Sequence, residues 1–304
     1  MTDDIGTPHR RRRAVLEVLA SATLFGTTGT SASFAPAAAS TTAIGAARLV
    51  VGGLGLVVVL PLLGGVRAQV ARLLRTPVGL AAAASTALYQ LTFFAAIART
   101  GVAIGTLVAI GSGPVLAGLI SWTLLGERPT AAWWTSTAIC IVGLTLLAID
   151  GIGNAEGDLA GVVLALGAGA SFAAYTVSAK RLMVRGAAPA ESMATAFGGG
   201  AALLLPVLLV AGTGWLADAR GAAIVLWLGL GTVSAAYVLF GRGLRVLPAG
   251  PVATLVLAEP LVATILGAVV LGERLGTSSW IGAALVAVGL AMQARASAGD
   301  RRPA

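Results

Sequence analysis

Apolar residues fill this chain in long continuous stretches, and short polar, Pro- or Gly-containing gaps separate them. A helix needs about 20 largely apolar residues to cross the hydrocarbon core of a bilayer. Breaking the chain at its charged, Pro and Gly clusters gives ten such stretches: 14–34, 42–63, 77–98, 101–124, 130–149, 158–180, 191–211, 220–241, 249–271 and 277–295. Only Arg99 and Thr100 separate the third from the fourth. The expected fold class is therefore an all-α integral membrane protein with ten transmembrane helices, and almost nothing is left for a domain outside the bilayer. The first stretch has a second reading as a signal peptide, because Arg10 to Arg13 precede it and Ala37-Ala38-Ala39-Ser40 follow it. Its apolar part is longer than the usual core of such a peptide, which favours a span.

Composition agrees with the pattern. Of 304 residues 57% are hydrophobic and 11% charged, where a soluble domain carries roughly 25% charged residues; the mean hydropathy is +0.93. The 41 glycines suit close helix–helix contact. A formal charge of +8 raises the possibility of nucleic acid, but the basic residues sit in gaps between apolar runs and form no single patch. A lone Cys140 leaves no intramolecular disulfide, and a lone His9 in a polar tail argues against His-based catalysis or zinc.

Charge sets the orientation. With the N-terminus inside, sixteen Lys and Arg residues fall in cytoplasmic segments; Arg99, Arg220 and Arg274 fall outside and Arg48 lies within a span. Asp150, Glu156, Asp158 and Asp218 also fall outside. This asymmetry predicts an inner (plasma) membrane protein with both termini cytoplasmic. Trp122, Trp133 and Trp134 near inner ends and Trp215, Trp227 and Trp280 near outer ends are expected to form aromatic belts.

The segment from Arg99 aligns without gaps to the segment from Arg245, an offset of 146. Matched pairs include Ala103/Ala249, Pro114/Pro260, Leu125/Leu271, Trp134/Trp280, Gly143/Gly289 and the block Gly126-Glu127-Arg128 against Gly272-Glu273-Arg274. A weaker match at offset 147 sets Phe25, Ser31 and Ala32 against Phe172, Ser178 and Ala179. Each half then holds five spans, an odd number, so the second half enters the membrane upside down. The expected organisation is a basic tail (1–13), two inverted five-helix repeats (14–149 and 158–295) and a C-terminal tail (296–304). Inverted repeats are typical of secondary transporters, whose site lies near the midplane where the halves meet.

These residues also resemble a family. Leu-Leu-Gly-Glu-Arg-Pro at 124–129, Leu-Gly-Glu-Arg-Leu at 271–275 and Ala-Glu-Pro at 258–260, on a two-times-five layout, look like the EamA branch of the drug/metabolite transporter superfamily. The resemblance spans nearly the whole chain and implies a ten-helix exporter of small metabolites, with exporters of amino acids, aromatic ones included, among its members. Leu24-Phe25-Gly26 departs from the Leu-Trp-Gly frequent in the family.

Charged residues persist in a membrane mainly where protein or a water-filled cavity surrounds them. Glu259 falls at the eleventh position of its span, followed by Pro260, which frees a carbonyl one turn earlier. It either binds a substrate amine, carries a coupling proton, or serves as a structural carboxylate. Arg48 either clamps a substrate carboxylate, pairs with Glu259, or snorkels to the outer interface. Pro114, after Gly111-Ser112-Gly113, and Pro260 are the candidate hinges, with close packing as the alternative. Phe25, Tyr89, Gln90, Ser112, Tyr175 and Tyr237, with Phe93, Phe94 and Phe172 at related depths, are candidate cavity-lining residues for an amphipathic ligand. Glu127 and Glu273 are expected to fix turns, Glu17 to pair with Arg13, and Gly198-Gly199-Gly200 to serve packing.

No P-loop, His-Glu-x-x-His or Gly-x-Ser-x-Gly occurs. The expectation is a transporter that is not an enzyme, without cofactor or metal. Its partners are a small-molecule substrate, the lipid bilayer and protons as a coupling ion, with no nucleic acid, in a monomer or homodimer. An integral membrane enzyme on a lipid-linked substrate, a passive channel and a structural subunit are the competing classes.

Overall fold

The computed structural model describes residues 7–152 and 158–299. Glu156, Arg301 and Arg302 lie outside the described residues, as does the side chain of Asp150. Among the described residues every regular element is helical: α1 (Pro8–Ser33), α2 (Thr41–Val59), α3 (Arg67–Leu73), α4 (Pro77–Leu125), α5 (Ala131–Ile152), α6 (Leu159–Val184), α7 (Pro189–Ala211), α8 (Ala219–Leu226), α9 (Ala236–Val246), α10 (Ala249–Val256), α11 (Ala258–Val270) and α12 (Thr277–Gly299). A π-helical stretch, Trp227–Ala235, joins α8 to α9. Short polar side chains start four of these helices: Ser40 accepts from the Ala43 amide, Thr76 from Gly79, Asp158 from Ala160 and Asp218 from Arg220.

Among the described residues eight segments are long and apolar enough to cross a membrane. One is the 49-residue α4, which breaks at Gly101 (φ 77°, ψ 166°), a conformation that suits glycine. The sequence expects two spans there, and the break falls within two residues of the expected boundary. Helix α1 falls short on apolarity, because Arg10 to Arg13, Glu17 and a run of Thr, Gly and Ser dilute it. The amphipathic α3 was not expected.

The halves embrace. Helix α2 packs on α7, α5 on α12, α4 on α6, and α1 on α9 and α11. The α5–α12 contact brings backbones together: a Cβ on Gly143 would lie 2.7 Å from the Gly282 carbonyl oxygen, and one on Gly282 2.6 Å from that of Gly143. Ser136 donates to Gln293 across it (2.6 Å), and Gln293 to Ser297 (2.8 Å). One end of the bundle carries Arg13, with its bond to Glu17 (3.1 Å), and the turns after α4, α6 and α9. This basic end stands opposite a far end that holds Gly101, the Arg99–Asp158 pair (2.9 Å) and the turn at Gly272.

The tryptophans do not all form belts. Trp122, Trp134, Trp227 and Trp280 are exposed, but Trp133 and Trp215 are buried, and Trp133 donates to Thr254 (3.0 Å). An indole with a polar partner, as Trp133 has, is as much at home between helices as at an interface, whereas the buried Trp215 Nε1 has no partner among the described residues.

Candidate functional site

A cavity of about 690 Å³ lies between the halves. Its rim at the far end includes the exposed Thr41, Val102 and Glu273, and its floor lies at Phe197, Val233 and Tyr237. Below the floor, toward the basic end, Leu56, Leu60, Met193, Leu244 and Leu247 belong to one continuous buried cluster with the floor residues. The cavity is therefore open at one end and plugged at the other.

Glu259 stands in the first turn of α11, just past the break at Leu257 (φ −61°, ψ −4°) that ends α10. The break sits three residues before Pro260, as expected from the amide that proline lacks. The N-terminal end of a helix favours a carboxylate, and Gly26 makes room for this segment: a Cβ there would come within 2.8 Å of the Glu259 carbonyl oxygen. Arg48, on α2, lines the same cavity; its Nε is buried and has no hydrogen-bond partner. The two charges act on each other through space, yet they form no direct ion pair among the described residues. A guanidinium and a carboxyl group thus line one cavity without direct contact.

Aromatic rings form the floor. Tyr175 and Tyr237 share a hydrogen bond between hydroxyls (2.8 Å), and Tyr237 lies against Phe197 and Phe25, with ring centroids 3.7 and 4.8 Å away. Tyr89 stacks on Phe93 (5.6 Å) and meets Tyr175 edge-on (6.3 Å). Seven of the candidates proposed from sequence as substrate-binding, Phe25, Arg48, Tyr89, Gln90, Tyr175, Tyr237 and Glu259, line this single cavity.

Ser112 does not. It packs on Gly169 of α6, and its hydroxyl donates to the Ala109 carbonyl (3.3 Å), so it belongs to a helix–helix contact. Pro114 is also away from the cavity and sits inside α4 with helical backbone around it, so only Pro260 of the two prolines adjoins a break. Gln90 reaches the cavity wall, but its amide donates to the Gly45 carbonyl (3.0 Å) and ties α4 to α2. Sequence reasoning missed Thr28, whose buried hydroxyl lines the cavity without a partner, and Phe197, next to the glycine run treated as packing. Their signals were available: a polar run at Thr27-Thr28 in mid-span, and an aromatic at midplane depth.

At the basic end, Glu127 does more than fix its own turn. Its Oε2 accepts from the Ala249 amide (2.8 Å), the first residue of α10 in the other half, and its Oε1 lies 3.6 Å from Lys180 Nζ. Lys180, 7% exposed, donates to the Leu244 and Leu247 carbonyls (2.6 and 2.8 Å). A second cleft of about 500 Å³ opens beside this contact, lined by Arg11, Glu127, Arg128, Trp133, Gln293 and Arg295. Among the described residues no group of three or more His, Cys, Asp or Glu is placed to hold a metal.

The sequence matches the model of the EamA-like transporter family twice, over residues 12–149 and 159–294. It is 41% identical over 280 residues to the uncharacterized transporter YwfM of Bacillus subtilis (strain 168), covering 90% of this chain and 91% of that protein. A shorter match, 35% over 65 residues, is to the putative permease-like protein YdzE of the same organism, covering 21% of this chain and 83% of the other. A solved crystal structure superposes with a TM-score of 0.77 at 21% identity, covering 92% of this chain and 95% of that one, a likeness of fold. With two tandem matches over nearly its whole length, the chain belongs to the EamA-like transporter family and is a multi-pass membrane transporter.

Proposed function

We propose that the protein exports small amphipathic metabolites of the amino-acid class by alternating access, crossing the plasma membrane ten times as two inverted five-helix repeats. Helix α4 has 49 residues, about 74 Å of helix at 1.5 Å per residue, more than twice a hydrocarbon core of about 30 Å; its two arms count as two crossings, and α1 supplies the tenth. The basic end is cytoplasmic by its excess of Arg and Lys. The observation that carries the reading is the pair Arg48 and Glu259, facing one aromatic-floored cavity without touching. A zwitterion fits between them, its carboxylate on Arg48, its ammonium on Glu259 and its side chain on the Phe25–Tyr237–Phe197 floor. Glu259 is also the group to carry a coupling proton.

The test is uptake into proteoliposomes preloaded with unlabelled amino acid, after a thermal-shift screen of aromatic, branched and hydroxylated amino acids. Counterflow saturating with one of these ligands is the expected result. In Glu259→Gln it falls by about tenfold or more, the loss of one charge-assisted contact, while the unfolding midpoint stays within a few degrees. Full transport by Glu259→Gln removes the acid from the mechanism, and the absence of any stabilising amino acid removes the substrate class.

A further inference from the structure

Glu127 and Glu273 occupy the same place in the two repeats but meet different surroundings. Each follows a C-terminal glycine with φ of 72°, and each amide donates back to the matching carbonyl, Glu127 to Ser121 (3.4 Å) and Glu273 to Gly267 (3.1 Å). The backbone thus presents the two carboxylates alike. Glu127 crosses the seam and accepts from Ala249 at the closed end. The repeat mate of Ala249 is Ala103, at the start of the second arm of α4, just after the break at Gly101. Ala103 and Glu273 both line the rim of the open cavity, and no side chain accepts from the Ala103 amide among the described residues.

We propose that these carboxylates are alternating latches: Glu127 on Ala249 holds the basic end shut, and Glu273 on Ala103 holds the far end shut once the basic end opens. The proposal rests on the alternating-access reading above and names the side chains that position its two end states. A carboxylate on a helix's first amides is a charge-assisted bond at the favourable pole of that helix. One such bond is made in each state, so the exchange trades the cap on one helix start for a cap on the other. The latches are unequal. Lys180 adds a cation at the basic end, whereas its mate at offset 147 is Ser33, whose hydroxyl donates to Thr30 (2.8 Å). The resting protein accordingly favours the state seen here, shut at the basic end.

Spin-label distances in nanodiscs test this. On a Cys140→Ala background, labels at Ala131 and Arg242 report the basic end, and labels at Ala98 and Thr277 report the far end. The expected wild-type distribution is mainly short at the basic end and long at the far end. Glu273→Gln shifts the ratio of the two states about tenfold toward an open far end, Glu127→Gln, which also loses the Lys180 contact, shifts it by more toward an open basic end, and the double variant lies between the two single ones. A carboxylate that merely stabilises its turn moves neither ratio. The latch is overturned if Glu127→Gln leaves both distributions unchanged, or if the two variants shift them the same way. If the two ends never change in opposite senses, with L-phenylalanine present or absent, alternating access itself fails; if they do while the variants stay silent, the latch alone falls.

Discussion

The tyrosine pair on the cavity floor shows how a polar handle survives among apolar helices. Tyr175 is 1% and Tyr237 7% exposed, and each hydroxyl has the other as its partner. Removing one leaves the other buried and unsatisfied, at a cost of about 1–3 kcal/mol, while removing both is nearly neutral. Tyr175→Phe and Tyr237→Phe are each expected to lower thermal stability by several degrees and the double variant by much less than their sum; additive losses in a melting series would show that the bond is not what matters. At this scale the sequence was informative about depth and silent about direction. Glu259 and Arg48 were legible because a charge in a span has few permitted neighbours. Ser112 misled because a helix with small or apolar residues on every side gives no phase, so depth alone does not say whether a hydroxyl faces cavity or neighbour. Trp133 carries the same ambiguity, and its burial follows from Thr254 opposite its indole and from Gly118 and Gly250 against its ring.

Among elements, glycine sets which helices touch. Gly143 and Gly282 face each other across the α5–α12 seam, and a side chain on either meets backbone that cannot yield. Gly143→Leu is expected to cost more than about 3 kcal/mol, the range of a severely overpacked core site, and to reduce folded protein in detergent strongly. Gly29→Ala, with open space around its Cβ, should keep wild-type yield. Size-exclusion profiles of both variants decide the point. Several helix ends are legible in the sequence because a polar start (Ser40, Thr76, Asp158, Asp218) or a glycine stop (Gly126, Gly212) bounds them. The break before Pro260 was implied by the proline. The π stretch at Trp227–Ala235 left no sequence sign; it lies along α2, where Ser234 donates to the Gly52 carbonyl (2.8 Å) and Val233 fills the space that Gly52 leaves, a fit decided by packing between helices distant in sequence.

For the whole molecule, the contacts follow the repeat. Helices holding the same place in each half pack on each other, α2 on α7 and α5 on α12, and the embrace of α1 by α9 and α11 is repeated by α6 between the two arms of α4. That is the pattern of a two-fold axis between the two repeats. On the proposed count of five crossings per unit, an odd number, the axis would lie in the membrane plane and the units would point opposite ways. The twin turns then reach opposite sides of the bilayer, although their backbones are alike. Cysteines at Ala131 and Thr277, repeat mates that both start a helix and are both exposed, are expected to react with an impermeant maleimide from opposite faces in oriented vesicles: Thr277→Cys from the periplasmic or external side, Ala131→Cys only after permeabilisation. Labelling of both from one face would require an even number of crossings between them. The latches would then act on the same side, and a carrier that opens each end in turn could not be built from this chain.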